Sequence, residues 1–304
     1  MTFPKYLRVA LTEQCPMRCS FCHNEGAEIR EKRSRLMVQY WERHISEFVD
    51  AGVKKVKFVG GEPLLYLDLP MLIQRLRCRY PDLDMSIITS GSVSVHRLKA
   101  CFEAGLSRAN MSIHGWRREM FERNSKIERH FVNRHETLQY LLDLGKPLKL
   151  NYVYTDALVE PDLQQLLTSM QNENVVINVL DDLSNRAITP QFLISRLTDL
   201  MGIPKIKRDL DPNSFNTLHL SWGGRMSVEI KDQHLGELAP WKSCDGCPKK
   251  LTCTEGIHAI RMYANGQVGL CMDRPDVRWS LSLSKEQSAS AVDFVQSNLA
   301  VEKV

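Results

Sequence analysis

The chain has 304 residues, 43 % hydrophobic and 25 % charged, a globular balance that excludes a disordered, collagenous or coiled-coil protein. Forty Lys and Arg against 36 Asp and Glu leave a net charge of +4, too mild and too dispersed for a dedicated nucleic-acid binder. No run of eighteen apolar residues is present, so no membrane-spanning helix is expected, and residues 1–14 carry Lys5, Arg8 and Glu13 in place of a signal-peptide core.

Short apolar runs alternate with amphipathic stretches over the first 200 residues. Residues 6–11 read as a strand, and 38–51 as a helix with Trp41, Ile45, Phe48 and Val49 on one face. Strand 54–59 precedes helix 69–79, and strand 85–89 precedes helix 95–104, which stops at Gly105. Strand 108–113 is followed by helical character over 129–144, ending at Gly145. Strand 148–154, helix 161–171, strand 175–180 and helix 190–201 complete the pattern. Repeated strand–helix units imply parallel strands joined by right-handed crossovers. The fold class expected is α/β, a partial (β/α)6 barrel, with function at the C-terminal strand ends.

After residue 204 the character changes. Residues 209–216 read as a linker. Strands 217–222 and 225–230 flank Gly223-Gly224, and strands 260–264 and 267–271 flank Asn265-Gly266, two hairpin signals. The expected organisation is a barrel over 1–204, a small β-hairpin domain over 205–280 and a helical tail over 281–304, with the helix at 285–300.

Nine cysteines without an export signal point to a reducing, cytoplasmic setting, where clustered thiols bind metal rather than each other. Cys15, Cys19 and Cys22 have spacing C-x3-C-x2-C directly after the first strand. Three thiolates are one short of a full set for a cubane cluster, and an open position marks a reactive site. On spacing alone, a zinc knuckle borrowing His23 fits as well. Cys244, Cys247, Cys253 and Cys271 have spacing C-x2-C-x5-C-x17-C, enough to saturate one iron–sulfur cluster or one zinc ion. Cys78 and Cys101 fall within helices and read as packing residues.

The first thiol loop, with Phe21 before its third cysteine, resembles the signature loop of the radical S-adenosylmethionine (radical SAM) superfamily. Gly60-Gly61-Glu62-Pro63 after the second strand resembles that family's second hallmark. The resemblance implies a [4Fe-4S] cluster on Cys15, Cys19 and Cys22. It also implies S-adenosylmethionine held by Phe21 and by the backbone of Gly60, Gly61, Glu62 and Pro63, where a glycine side chain's absence permits close approach. Ser90, Ser112, His114 and Asn151 at later strand ends are further contacts it implies. Residues 255–271 resemble the hairpin before the last cysteine of SPASM and twitch proteins and of the molybdenum-cofactor GTP cyclase. That likeness implies a second, auxiliary [4Fe-4S] cluster in a twitch-like arrangement.

By the same resemblance, an external one-electron reductant of flavodoxin or ferredoxin type drives cleavage of S-adenosylmethionine to a 5′-deoxyadenosyl radical. The radical then abstracts hydrogen from a substrate C–H bond. No nucleic-acid or membrane partner is expected. The thiol loop begins at residue 15, leaving no room ahead of it for a peptide-recognition domain. The cyclase ends in Gly-Gly, whereas this chain ends Val301-Glu302-Lys303-Val304 and spaces its auxiliary cysteines differently. These features favour a small-molecule substrate, a sugar, nucleoside or aminoglycoside-like compound undergoing oxidation, epimerisation or rearrangement. The alternatives are a radical SAM peptide modifier and a non-catalytic zinc-binding interaction protein. Cys271 is the hydrogen-donor candidate if it is not a ligand.

Overall fold

A computed structural model describes residues 3–23, 36–127, 130–182, 188–209, 216–231, 241–250, 253, 257–281 and 290–299. The first half alternates as expected: β1 (Tyr6–Ala10), α1 (Val38–Asp50), β2 (Lys55–Val59), α2 (Leu69–Arg79), β3 (Asp84–Thr89), α3 (Val95–Glu103) and β4 (Arg108–Ile113). Two helices follow, α4 (Arg118–Ser125) and α5 (Phe131–Asp143), then β5 (Leu148–Tyr154), α6 (Glu160–Met170), β6 (Val175–Asp181) and α7 (Pro190–Met201). The last part is strand-rich: β7 (Lys205–Asp209), β8 (Thr217–Ser221), β9 (Ser227–Lys231), β10 (Ile260–Met262), β11 (Gln267–Gly269), β12 (Arg278–Ser280) and a closing α8 (Ala291–Ser297).

Local chemistry sets the ends. Thr189 caps α7 by accepting from the Phe192 amide, with Pro190 at the first helical position. Gly105 adopts φ +104° just past α3, and the Leu106 amide turns back to the Cys101 carbonyl at 3.0 Å. Ser290 and Asp293 form a capping box on α8.

β1 to β6 run parallel in sequence order. The later hairpins extend this same sheet at both edges: β9 adds parallel to β6, and β10 adds parallel to β1. The outermost strands, β7 and β8 on one side and β11 and β12 on the other, are antiparallel. Side chains alternate along each inner strand. Leu7, Val9, Val56 and Phe58 point outward and are fully buried under the helices with Trp41, Phe48 and Leu72. Their neighbours Tyr6, Arg8 and Lys57 point to the barrel interior.

Several details differ from expectation. The stretch expected as one helix over 129–144 is α5, and an additional charged helix, α4, precedes it. Strands β7 and β12 were not expected; all five residues of β7 are exposed, so no alternation marks it. The Gly223-Gly224 hairpin has a longer loop, because the Arg225 and Met226 amides both bond to the Gln171 carbonyl at the end of α6. The Asn265-Gly266 turn forms as read, with Gly266 at φ +76° and the Asn265 side chain accepting from the Gln267 amide. Within the expected linker, 210–215 lie outside the described residues, as do 285–289 and 300 of the expected tail helix. Among the described residues no helix is long and apolar enough to cross a membrane.

Candidate active site

The inward side chains enclose a cavity of about 460 Å³. Cys15, Cys19 and Cys22 line one wall, on the loop directly after β1. Their neighbours fix the loop: the Cys22 amide bonds to the Cys19 carbonyl at 3.2 Å, and the Arg18 amide to the Ser125 carbonyl at the end of α4 at 2.9 Å. Desolvation, with Glu62 and Cys22 nearby, pushes Cys15 up to about 11, and desolvation, with the other two thiols nearby, pushes Cys19 up to about 12. Such thiols stay protonated at neutral pH until a metal takes the proton's place.

Gly60 and Gly61 also line the cavity. A Cβ on Gly60 would lie 2.4 Å from the Thr12 carbonyl oxygen, and one on Gly61 would lie 2.2 Å from that of Gln14. The Gly61 amide donates to Thr12 O at 2.7 Å and the Glu62 amide to Gln14 O at 2.8 Å. The two glycines therefore first make room for the thiol loop itself. Glu62 and Pro63 do not line the cavity. Glu62 is fully buried and accepts from Thr89 Oγ1 at 2.7 Å, Ser90 Oγ at 2.6 Å and the Ser90 amide at 2.9 Å. It ties the end of β2 to the end of β3.

Ser90, Ser112, His114 and Asn151 all face the cavity. Ser90 is committed to Glu62 and Ser92. Asn151 accepts from Asn178 Nδ2 at 3.0 Å, which leaves its own amide nitrogen toward the interior. Phe21 stacks on the His114 ring at 5.8 Å, with planes 16° apart. Burial pulls His114 down to about 4, so the ring is neutral, and its buried Nδ1 makes no hydrogen bond among the described residues. An aromatic stack, strand-end amide and hydroxyl groups and an orphaned ring nitrogen beside three soft donors fit an iron–sulfur cluster with S-adenosylmethionine.

The cavity also holds charges that the motifs did not announce. Arg261 on β10, Arg8 on β1 and Lys57 on β2 stand in one cross-strand row and all face inward. Arg8 Nη1 donates to Tyr6 Oη at 3.1 Å, and Lys57 Nζ lies 5.3 Å from the Tyr6 ring centre. Desolvation and the neighbouring Arg8 and Arg108 lower the Lys57 ammonium, opposed by Tyr6. Lys149 pairs with Glu229 across the opposite wall.

The second thiol group sits where β10 and β11 meet the turn at 242–250. Cys244 interacts with Cys253 and Cys247, and Cys271 with Cys253 and Cys244, while burial raises both Cys244 and Cys271. Arg274 Nη1 donates to the Ser243 carbonyl at 2.7 Å, joining the turn after Cys271 to the one before Cys244. Ser243 Oγ, beside Cys244, is buried without a hydrogen-bond partner among the described residues. Four thiols and an orphaned hydroxyl fit a second cluster. Met272, next in chain to Cys271, and His258, five residues after Cys253, reach the cavity wall. Among the described residues, no three His, Cys, Asp or Glu side chains are gathered closely enough to hold a metal ion as they stand, so both groups are neighbours rather than closed ligand sets. Cys78 and Cys101 lie on α2 and α3 and do not line the cavity; Cys101 is buried packing.

A family model described as the radical SAM superfamily matches residues 9–169. The chain is 33 % identical over 182 residues to a GTP 3′,8-cyclase of Aquifex aeolicus, covering 58 % of this chain and 56 % of that protein. It is 29 % identical over 269 residues to the GTP 3′,8-cyclase of Nautilia profundicola, covering 88 % and 80 %. The match thus spans little more than half the length of the first relative. The crystal structure of Streptococcus suis SuiB bound to S-adenosylmethionine has the same fold over 92 % of this chain and 63 % of its own, with TM-score 0.64 and 15 % identity.

Proposed function

This chain belongs to the radical SAM superfamily, and we propose that it acts on a small anionic substrate, a phosphorylated nucleoside fitting best. The observation that carries this reading is the row Arg261, Arg8 and Lys57. Three cationic side chains from neighbouring strands on one stretch of the cavity wall favour a negatively charged ligand there. An anion held among them gains charge-assisted hydrogen bonds. Phosphate or carboxylate suits the guanidinium forks of Arg8 and Arg261. The named activity of the GTP 3′,8-cyclases supports a nucleotide.

In this reading Cys15, Cys19 and Cys22 hold the cluster that engages S-adenosylmethionine. Phe21, Ser112, His114 and Asn151 border the bound molecule, and Gly60 and Gly61 hold the thiol loop against the strand ends. Reductive cleavage supplies a 5′-deoxyadenosyl radical when the cluster receives an electron from a flavodoxin- or ferredoxin-like donor. The four later thiols hold a second [4Fe-4S] cluster, and Met272, beside Cys271, lines the same cavity, as does His258. The cavity's part is orientation and exclusion of water.

The test is anaerobic reconstitution followed by reduction with dithionite in the presence of S-adenosylmethionine. GTP, other nucleoside triphosphates and the matching neutral nucleosides are supplied in turn. 5′-Deoxyadenosine and product mass are recorded. Nucleotides are expected to yield a new product and the neutral nucleosides none. Equal turnover of charged and uncharged substrates would remove the anionic-substrate reading. Protein with bound zinc and no acid-labile sulfide would remove the cluster reading.

A further inference from the structure

The turn between β4 and α4 is held by two charged side chains that touch neither thiols nor cations of the cavity. Asp162 on α6 accepts from the Trp116 amide at 2.6 Å and the Arg117 amide at 2.8 Å. Arg134 on α5 donates to the Gly115 carbonyl and, at 2.9 Å, to the Trp116 carbonyl. Both side chains are completely buried. Tyr152 on β5 donates its hydroxyl to Asp162 at 2.9 Å. The Arg134 guanidinium lies 4.6 Å from the Phe131 ring centre and 5.7 Å from those of Trp116 and Phe121. Burial lowers Arg134 only to about 10, so it remains charged at neutral pH.

Burying two charges is costly, and a loop that needed only to be covered would be covered more cheaply by apolar packing. Here four charged contacts go to the backbone of the three residues that follow His114, and the Arg117 side chain adds an ion pair to Asp162 at 3.3 Å. Carbonyls are taken from one side and amides from the other. The His114 carbonyl is held as well, by Asn124 Nδ2 at 2.8 Å. Gly115 completes the restriction: at φ +154° its Cβ position would lie 2.3 Å from the Phe121 amide nitrogen. The chain of contact then runs outward. Phe121, under Arg134, meets His114 edge-on at 6.5 Å, and His114 stacks on Phe21, the residue before Cys22.

We propose that Arg134 and Asp162 are positioning residues for S-adenosylmethionine, clamping the 115–117 turn so that His114 and Phe21 present one fixed aromatic wall beside the thiol loop. The inference rests on the reading of that wall as the S-adenosylmethionine site. Neither residue touches the bound molecule. Their effect passes through the backbone of the turn, so geometry matters more than charge. Lysine at 134 keeps the cation and loses the fork that spans two carbonyls.

The experiment measures S-adenosylmethionine binding to reconstituted protein by equilibrium dialysis, with iron content and melting temperature recorded alongside. Wild type is compared with Arg134→Lys, Asp162→Asn and Tyr152→Phe. Arg134→Lys and Asp162→Asn are expected to weaken binding at least tenfold at unchanged iron content, and Tyr152→Phe about threefold. A merely structural role would lower the melting temperature and leave affinity within twofold of wild type, which overturns the proposal. Should the first two variants fail to fold, Tyr152→Phe decides alone: it keeps the ring and removes the hydroxyl's contacts to Asp162 and the Val159 carbonyl, and unchanged affinity there refutes the clamp. Wild-type protein that loads iron yet binds no S-adenosylmethionine would instead overturn the site reading beneath it.

Discussion

Gly61→Ala puts the packing of the thiol loop to a direct test. The new methyl carbon would stand 2.2 Å from Gln14 O, 2.5 Å from Gln14 C and 2.8 Å from Glu13 O. All three atoms are backbone, so no side chain can swing aside. Relief requires the loop to retreat by more than 1 Å, as ordinary carbon–oxygen contact begins near ~3.4 Å. That movement breaks the Gly61 N–Thr12 O and Glu62 N–Gln14 O hydrogen bonds. Two such bonds contribute about 1 kcal/mol each, and the overpacking itself costs about 1–3 kcal/mol. A loss of about 3–5 kcal/mol follows, a large fraction of the ~5–15 kcal/mol that holds a domain folded. Denaturant melts would read this loss, and iron and sulfide content after reconstitution would report on the three thiols. Gly145→Ala is the control: it has φ +61° but nothing within 4 Å of its Cβ position, so it carries a left-handed penalty of about 1 kcal/mol and no loss of iron. A Gly61→Ala protein with the wild-type midpoint and full iron would refute the reasoning.

Three further outcomes are expected. Cys22→Ala should abolish S-adenosylmethionine cleavage, whereas Cys271→Ala should retain uncoupled cleavage and lose product, both read as 5′-deoxyadenosine against product mass. Arg8→Met and Lys57→Met should each raise the KM for an anionic substrate at least tenfold while sparing uncoupled cleavage, separating the cation row from the thiol site in steady-state kinetics. His114 is held neutral, its value lowered by burial from 6.5 to about 4. Between those values the unfolded chain binds the extra proton, so stability is complete above pH 6.5 and declines as pH falls toward 4. The loss is about 3 kcal/mol in all. His114→Phe should flatten that part of a melting temperature–pH curve.

How far the sequence carries depends on which force shapes each part. The βα alternation is legible because every inner strand pairs outward apolar residues with helices of matching period. The thiol spacing and Gly60-Gly61 are legible because the chemistry needs those residues close together in the chain. The cation row is spread over Arg8, Lys57 and Arg261, residues that only strand register brings together. A signal was nonetheless present. In a parallel barrel both strand faces are normally apolar, yet Tyr6-x-Arg8, Lys55-x-Lys57 and Lys149-x-Asn151 place polar groups at alternate positions. That pattern in a buried strand marks a lined cavity. Helix α4 escaped notice because its run Arg118 to Ser125 is mostly charged and polar, although Met120 and Phe121 are buried. Strand β7 has no buried face to betray it. The resemblance assigns Glu62 a backbone contact and says nothing of its carboxylate, whose burial against Thr89 and Ser90 makes it a tie between strand ends.

The parallel pairing of β1 with β10 sets an order of assembly. The two strands come from distant parts of the chain, and their contact closes the wall that brings Arg261 beside Arg8. During synthesis the ribosome releases the thiol loop and β1 to β6 well before β10, so the nascent barrel stands open along the β1 edge. Long-range pairing of this kind forms late and slowly. The wall that carries Arg261 is therefore the last part of the cavity to close, when β10 pairs with β1.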